Sequence, residues 1–106
     1  MYRYTVRCEF TLNDRKVIER WLGWLRDPHI ADVMKGGATG AVVVQMAGEP
    51  SIYEIRYQFA SREDFEKYES EFAPALKDEG RTLFPPDELG MVYSRSHGHV
   101  IHSTFG

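Results

Sequence analysis

Four segments of the chain have the pattern of β-strands. Residues 2–10 alternate apolar and polar side chains, which predicts a strand with one face in a core. Residues 41–46 form a β-branched run, which predicts a strand buried on at least part of both faces. Residues 52–59 alternate again after a Gly-Glu-Pro-Ser turn, so these two segments predict a hairpin. Residues 91–96 are the fourth predicted strand.

A first helical pattern follows the first strand and contains both tryptophans. We expect it to begin after an N-cap at Asn13 or Asp14. The Asp27-Pro28 pair interrupts its apolar stripe, because a residue before proline is disfavoured in the α region. The pattern therefore predicts a kinked helix pair, closed by the double glycine at 36–37.

A second helical pattern follows the hairpin. Residues 61–64, Ser-Arg-Glu-Asp, resemble a capping box at its start. Pro74 falls inside the apolar spacing, so we expect a kink or break near Phe72. We expect Gly80 and then the double proline at 85–86 to end the element.

The predicted order is strand, helix, strand, strand, helix, strand. This order is typical of the ferredoxin-like βαββαβ α+β sandwich, with two helices on one face of a four-stranded antiparallel sheet of order 4-1-3-2. Residues 1–96 are the predicted domain, and residues 97–106 are a tail or an extension of the last strand.

The two faces of the predicted sheet differ in polarity. One face of the central strands is aromatic and should meet the helices, whereas the other carries charges that include Arg3, Arg7 and Arg56. Sheets of this size often pair with a second copy, and residues 41–44 place apolar side chains on both sides of their strand. We therefore expect a homodimer that forms through the sheet faces, the alternative being a solvated charged face.

Composition narrows the choice of partner and compartment. The chain of 106 residues has a net charge of −3, which disfavours nucleic acid and anionic membranes as partners. Its single cysteine, Cys8, excludes an internal disulfide and suits a reducing compartment. No secretory leader pattern opens the sequence and no apolar run has membrane-spanning length, so we expect a cytoplasmic protein.

Five residues are candidates for a site in this fold. His29 and Asp32 are three apart on a short helix, so Asp32 is a candidate to orient His29 as a catalytic base. The structural alternative is that His29 bonds a strand carbonyl and holds the kink. Trp24 lies at the shoulder of its apolar stripe and is a candidate to contact a substrate. Tyr4 and Tyr57 either point their hydroxyls into a cavity or bond them to the backbone.

The remaining patterns predict neither a metal nor a cofactor. His97 and His99 share a strand face, but no acidic or cysteine partner lies near them or His102 in sequence. A flexible tail explains these histidines better. The glycine-rich residues 36–40 lack the lysine and helix start of a phosphate loop.

Four motifs occur along the chain: W-x-x-W at 21–24, H-x-x-D at 29–32 with a following glycine, D-F-E-K-Y at 64–68 and A-P-A-L at 73–76. With these motifs the chain resembles a bacterial family of unknown function in the dimeric α+β barrel superfamily. The resemblance covers roughly residues 2–95. It implies two ferredoxin-like monomers packed sheet to sheet, with a pocket between helices and sheet. Related families include cofactor-independent antibiotic-biosynthesis monooxygenases, haem proteins similar to chlorite dismutase, and lactone isomerases.

Three functions remain open from the sequence. The first is a homodimeric protein that binds a small organic molecule in that pocket. The second is a cofactor-independent monooxygenase or isomerase with His29 as base. The third is a structural or interaction module whose aromatic residues form only a core.

Overall fold

The computed structural model describes residues 1–104 and contains one four-stranded antiparallel sheet. The strand order is β2-β3-β1-β4, which is the predicted order 4-1-3-2 read from the other edge. The α+β ferredoxin-like prediction is therefore confirmed. The strands are β1 (Tyr2–Phe10), β2 (Ala38–Gln45), β3 (Ser51–Phe59) and β4 (Met91–His99).

Several helices, rather than two, pack against the sheet. Both predicted helices are broken, and a short helix that the sequence pattern did not predict precedes β4. None of the helices in residues 1–104 combines the length and the apolar character needed to cross a membrane. The helices are α1 (Arg15–Trp24), α2 (Ile30–Lys35), α3 (Arg62–Glu71), α4 (Ala73–Leu83) and α5 (Pro86–Leu89), with a π-helical turn (Leu25–His29) between α1 and α2.

The first break lies where the Asp27-Pro28 pair predicts it. Asp27 has extended backbone angles, with φ −157° and ψ 112°, inside an otherwise helical turn. The carboxylate of Asp14 accepts hydrogen bonds from the amides of Lys16 and Val17 and so caps α1. Gly37, with φ +121°, takes the conformation that ends α2 and starts β2.

The second break separates α3 from α4 at Phe72, as predicted. The Ser61 hydroxyl accepts a hydrogen bond from the Asp64 amide and caps α3. α4 continues past Gly80 to Leu83 and ends just before the double proline, so the second of the two predicted stop signals ends the element. A Cβ at Gly80 would lie 3.1 Å from Cη2 of Trp24, so this glycine permits close contact with the Trp24 ring.

The core lies between the helices and the inner face of the sheet. The aromatic face of β1 and β3 is buried there, as its alternation predicts. As predicted, β2 is partly buried on both faces, since Ala41 on the inner face and Val44 on the outer face are half-buried. Because β2 is an edge strand, Val42 and Val43 are 58% and 38% exposed on opposite faces.

The last strand extends past residue 96, as one of the two predicted alternatives for the C-terminal residues has it. Residues 97–99 continue β4, with His97 opposite Tyr4 and His99 opposite Tyr2. The Tyr2 hydroxyl is hydrogen-bonded to Nδ1 of His97 at 2.6 Å, and the His99 ring meets the Tyr2 ring edge-on. The flexible-tail interpretation of these two histidines is therefore wrong, since both contact the β1 residue at the end of the sheet.

Candidate functional site

A cavity of about 240 Å³ lies between the helices and the inner face of the sheet. Strands β1, β3 and β4 form its floor, the end of α1 and the following turn form one wall, and α4 forms another. Four of the five predicted site residues line it: Tyr4, Trp24, His29 and Tyr57.

The kink at Asp27 brings Trp24 and His29 together. The backbone is extended at Asp27, and the Ile30 amide donates a hydrogen bond to the Leu25 carbonyl across this kink. The two rings stack with centroids 4.1 Å apart and planes 22° apart. Nε1 of Trp24 and Nδ1 of His29 are both buried without a hydrogen-bond partner in residues 1–104. The stack therefore leaves two unpaired polar nitrogens buried on residues that line the cavity.

Burial keeps His29 uncharged. Burial lowers its pKa to about 4, although the nearby Asp32 carboxylate opposes that shift. At neutral pH the imidazole therefore has one N–H donor and one acceptor nitrogen.

Asp32 is not part of the cavity lining. Its carboxylate lies 3.8 Å from Nζ of Lys35, an ion pair within α2. The structure shows neither a hydrogen bond nor an ion pair between Asp32 and His29 in the described chain, and Nδ1 of the imidazole is unpaired. The predicted orienting role is therefore absent from this geometry, because Asp32 acts on His29 only through its charge.

Tyr57 lies on the floor opposite Tyr4. The two rings are stacked, with centroids 5.9 Å apart. The Tyr57 hydroxyl is buried and has no hydrogen-bond partner in residues 1–104, so it is not bonded to the backbone. Burial raises the pKa of both tyrosines, which keeps each hydroxyl protonated and able to donate.

Trp21 has a packing role, in contrast to Trp24. Its ring meets Phe10 at a centroid distance of 5.1 Å, and its Nε1 donates a hydrogen bond to the Tyr93 hydroxyl at 3.1 Å. Its indole nitrogen is therefore already paired within the protein.

The sequence did not predict the positively charged residues that line the cavity. Arg95 lies on the inward register of β4, opposite Val6, and Lys77 and Arg81 come from α4. The one signal for Arg95 is its alternation with Met91 and Tyr93, which places an arginine in the apolar register of an edge strand. Nothing in the pattern of the second helix distinguishes Lys77 or Arg81 from solvated charges.

The structure also bears on metal binding. Within residues 1–104, no three His, Cys, Asp or Glu side chains lie together as metal ligands would. His97 is bonded to Tyr2, and His102 lies beyond β4 with its Nε2 2.7 Å from the Thr104 hydroxyl.

Comparison with known proteins identifies a matching family and solved structures with the same fold. A family model described as a domain of unknown function, DUF4286, matches residues 1–91. No curated protein matches the chain.

Solved structures share the fold at low identity. A dimeric ferredoxin-like protein from an uncultured marine organism is 12% identical with a TM-score of 0.65, and the alignment covers 99% of this chain and 98% of that one. A candidate antibiotic biosynthesis monooxygenase from Nitrosomonas europaea is 16% identical with a TM-score of 0.64, covering 96% of this chain and 100% of that one.

Proposed function

The chain belongs to DUF4286, a family of unknown function, and on the basis of its cavity we propose that it binds a small, flat organic molecule between its helices and its sheet. The observation that carries this proposal is the set of three buried polar atoms without partners: Nε1 of Trp24, Nδ1 of His29 and the Tyr57 hydroxyl. All three residues line the same cavity. Leaving such a group unpaired costs about 1–3 kcal/mol, so a ligand that pairs them gains affinity.

The size and lining of the cavity define the ligand. An engineered apolar cavity of about 150 Å³ holds benzene, so a volume of about 240 Å³ suits a two-ring aromatic molecule. The stacked Trp24 and His29 rings present a flat surface beside the Tyr4 and Tyr57 pair. Flat aromatic ligands pack well on such surfaces.

Nuclear magnetic resonance (NMR) tests this proposal directly, because the protein has two indole N–H groups in different states. We expect 2-naphthamide, a neutral two-ring probe, to move the Trp24 indole resonance much more than that of Trp21, whose N–H already bonds Tyr93. The variant Trp24→Phe assigns the resonance by its disappearance. If flat neutral and anionic probes leave the Trp24 signal in place, the cavity is not a binding site.

Proton abstraction by His29 is the less well supported function. A base is most effective when its pKa is close to the working pH, whereas burial lowers the pKa of His29 to about 4. The likeness to a candidate monooxygenase is one of fold alone. We therefore assign His29 to ligand binding, as a hydrogen-bond partner, rather than to catalysis.

We further propose that the protein is a homodimer that packs through the outer faces of its sheets. The outer face carries exposed apolar residues at both edges, Val42 on β2 and Val92 on β4, each more than half exposed. Structural neighbours that are dimeric ferredoxin-like proteins support the same arrangement.

Light scattering tests the dimer. We expect a dimer mass for the wild type and a monomer mass for Val92→Glu, because the new charge would be buried in the interface. Leu83→Glu is the matched control, since Leu83 is 46% exposed on a helix and should not affect the mass. A wild-type monomer at high micromolar concentration would contradict the proposal.

A further inference from the structure

We infer that the ligand of this cavity is an aromatic carboxylate, with its ring beside Trp24 and His29 and its charged group at a mouth formed by Arg81 and Arg95. This inference rests on the proposed function, since it names the chemical class that the same cavity binds. Three features of the lining carry it.

The first feature is the charge of the lining. Three cations line the cavity, Lys77, Arg81 and Arg95, and none of its lining residues in the described chain is acidic. The whole chain has a net charge of −3, so this concentration of positive charge runs against the overall balance. A concave surface with one sign of charge attracts ligands of the opposite sign.

The second feature is the pairing of these cations. Nζ of Lys77 lies 3.7 Å from the Glu69 carboxylate, so its charge is partly compensated. Arg81 and Arg95 form no ion pair with a carboxylate in residues 1–104. Both side chains are largely exposed, which places them at the mouth rather than in the interior. A bound carboxylate would supply the missing partner.

Arg95 is also held in place for such a contact. Its guanidinium lies 5.0 Å from the centroid of the Tyr93 ring, on a strand that hydrogen-bonds to the centre of the sheet. A planar guanidinium binds a carboxylate through two parallel hydrogen bonds, and prior packing of the side chain reduces the entropy lost on binding.

The third feature is the excess of hydrogen-bond donors. The Trp24 indole is a donor only, and the buried Tyr57 hydroxyl is protonated and can donate. Lys77 and the two arginines add groups that only donate, whereas the acceptors of the lining are limited to His29 and the tyrosine hydroxyls. A ligand rich in acceptor atoms, such as a carboxylate with a further oxygen on its ring, matches this set.

Affinities for two isosteric probes test the inference. We expect 2-naphthoate to bind on the order of tenfold more tightly than neutral 2-naphthamide at pH 7, because hydrogen bonds to an ion are roughly twice as strong as neutral ones. In Arg95→Gln the ratio of the two affinities should fall towards one. Arg81→Gln lies at an exposed helix position, so it should lower this ratio of affinities without a change in the sheet. Arg62→Gln is the control with the same change in charge, since Arg62 does not line the cavity.

The possible results separate the two proposals. Equal affinities for the two probes, or tighter binding of the amide, would overturn the carboxylate assignment while the binding function stands. If both Arg95→Gln and Arg81→Gln still bind naphthoate more tightly than the amide, the two arginines do not form the site for the carboxylate. If neither probe moves the Trp24 resonance, the binding function itself is wrong and the carboxylate assignment falls with it.

Discussion

Two aromatic regions lie on the same inner face of the sheet, and they differ in whether their polar atoms are paired. At the end of the sheet, the closed cluster consists of Tyr2, Phe59, Phe65 and His97. Its rings pack at centroid distances of 4.8 to 5.6 Å, and its Tyr2 hydroxyl is bonded to His97.

The second region is the cavity with Trp24, His29 and Tyr57, where three buried polar atoms have no partner in the described chain. Both regions are rich in aromatic residues, so composition does not distinguish them. The pairing of the polar atoms does, and on this difference we propose that the cavity, unlike the closed cluster, is a binding region.

Truncation of a ring in the closed cluster should have the largest effect on the stability of the protein. Phe59 is fully buried against Phe65 and Tyr68, so we expect Phe59→Ala to lower the free energy of unfolding by about 3–5 kcal/mol. Leu76→Ala, at a half-buried position in the cavity wall, should cost only roughly 1–2 kcal/mol because that side chain already borders open space. Urea unfolding measures both, and equal losses would remove the distinction between the regions.

Low pH should destabilise the protein because His29 in the cavity wall is buried in its uncharged form. The pKa of His29 is about 4 in the folded state against 6.5 when unperturbed. Below pH 6.5 the unfolded chain binds a proton that the folded protein does not, so the free energy of unfolding falls as the pH drops from about 6.5 to about 4. One pKa unit corresponds to about 1.4 kcal/mol, so the total loss is on the order of 3 kcal/mol.

The variant His29→Gln isolates this contribution, because glutamine does not titrate. Its free energy of unfolding should vary less between pH 7 and pH 4.5 than that of the wild type, as measured by urea unfolding at each pH. An unchanged pH dependence in the variant would show that His29 is not the group responsible.

Removal of one hydroxyl from each region should have a smaller effect, and the two effects should differ. Tyr2→Phe breaks the 2.6 Å hydrogen bond to His97, so we expect a loss of about 1 kcal/mol. Tyr57→Phe removes a buried hydroxyl that has no partner, so we expect no loss, or a gain of up to about 1 kcal/mol. Thermal unfolding compares the two variants, and a larger loss for Tyr57→Phe would contradict the assignment of that hydroxyl to a ligand.

Much of the fold could be predicted because it depends on local patterns. The alternation in β1, the proline after Asp27 and the cap at Ser61 each act within a few residues, and the structure shows the strand, the break and the helix start there. The packing role of Gly80 could not be predicted, because a glycine that ends a helix and a glycine that admits a Trp24 ring look alike in sequence.

The site was less predictable because its residues come from distant elements. Trp24, Tyr4 and Tyr57 could be placed near the cavity from the inward register of their strands and helix. Arg95 could not be recognised as a lining residue without the pairing of β4 with β1. The absence of a bond between Asp32 and His29 depends on how far the turn after Asp27 rotates α2, which spacing alone does not determine.

The most direct test of the central claim compares affinities for 2-naphthamide, by NMR titration, in the wild type, Tyr57→Phe and Tyr2→Phe. If the unpaired atoms of the cavity exist to bind a ligand, Tyr57→Phe should weaken binding by about 5- to 10-fold, the value of one hydrogen bond, and Tyr2→Phe should bind as the wild type does. Equal affinity of the wild type and Tyr57→Phe would contradict the claim that this hydroxyl is kept for a ligand.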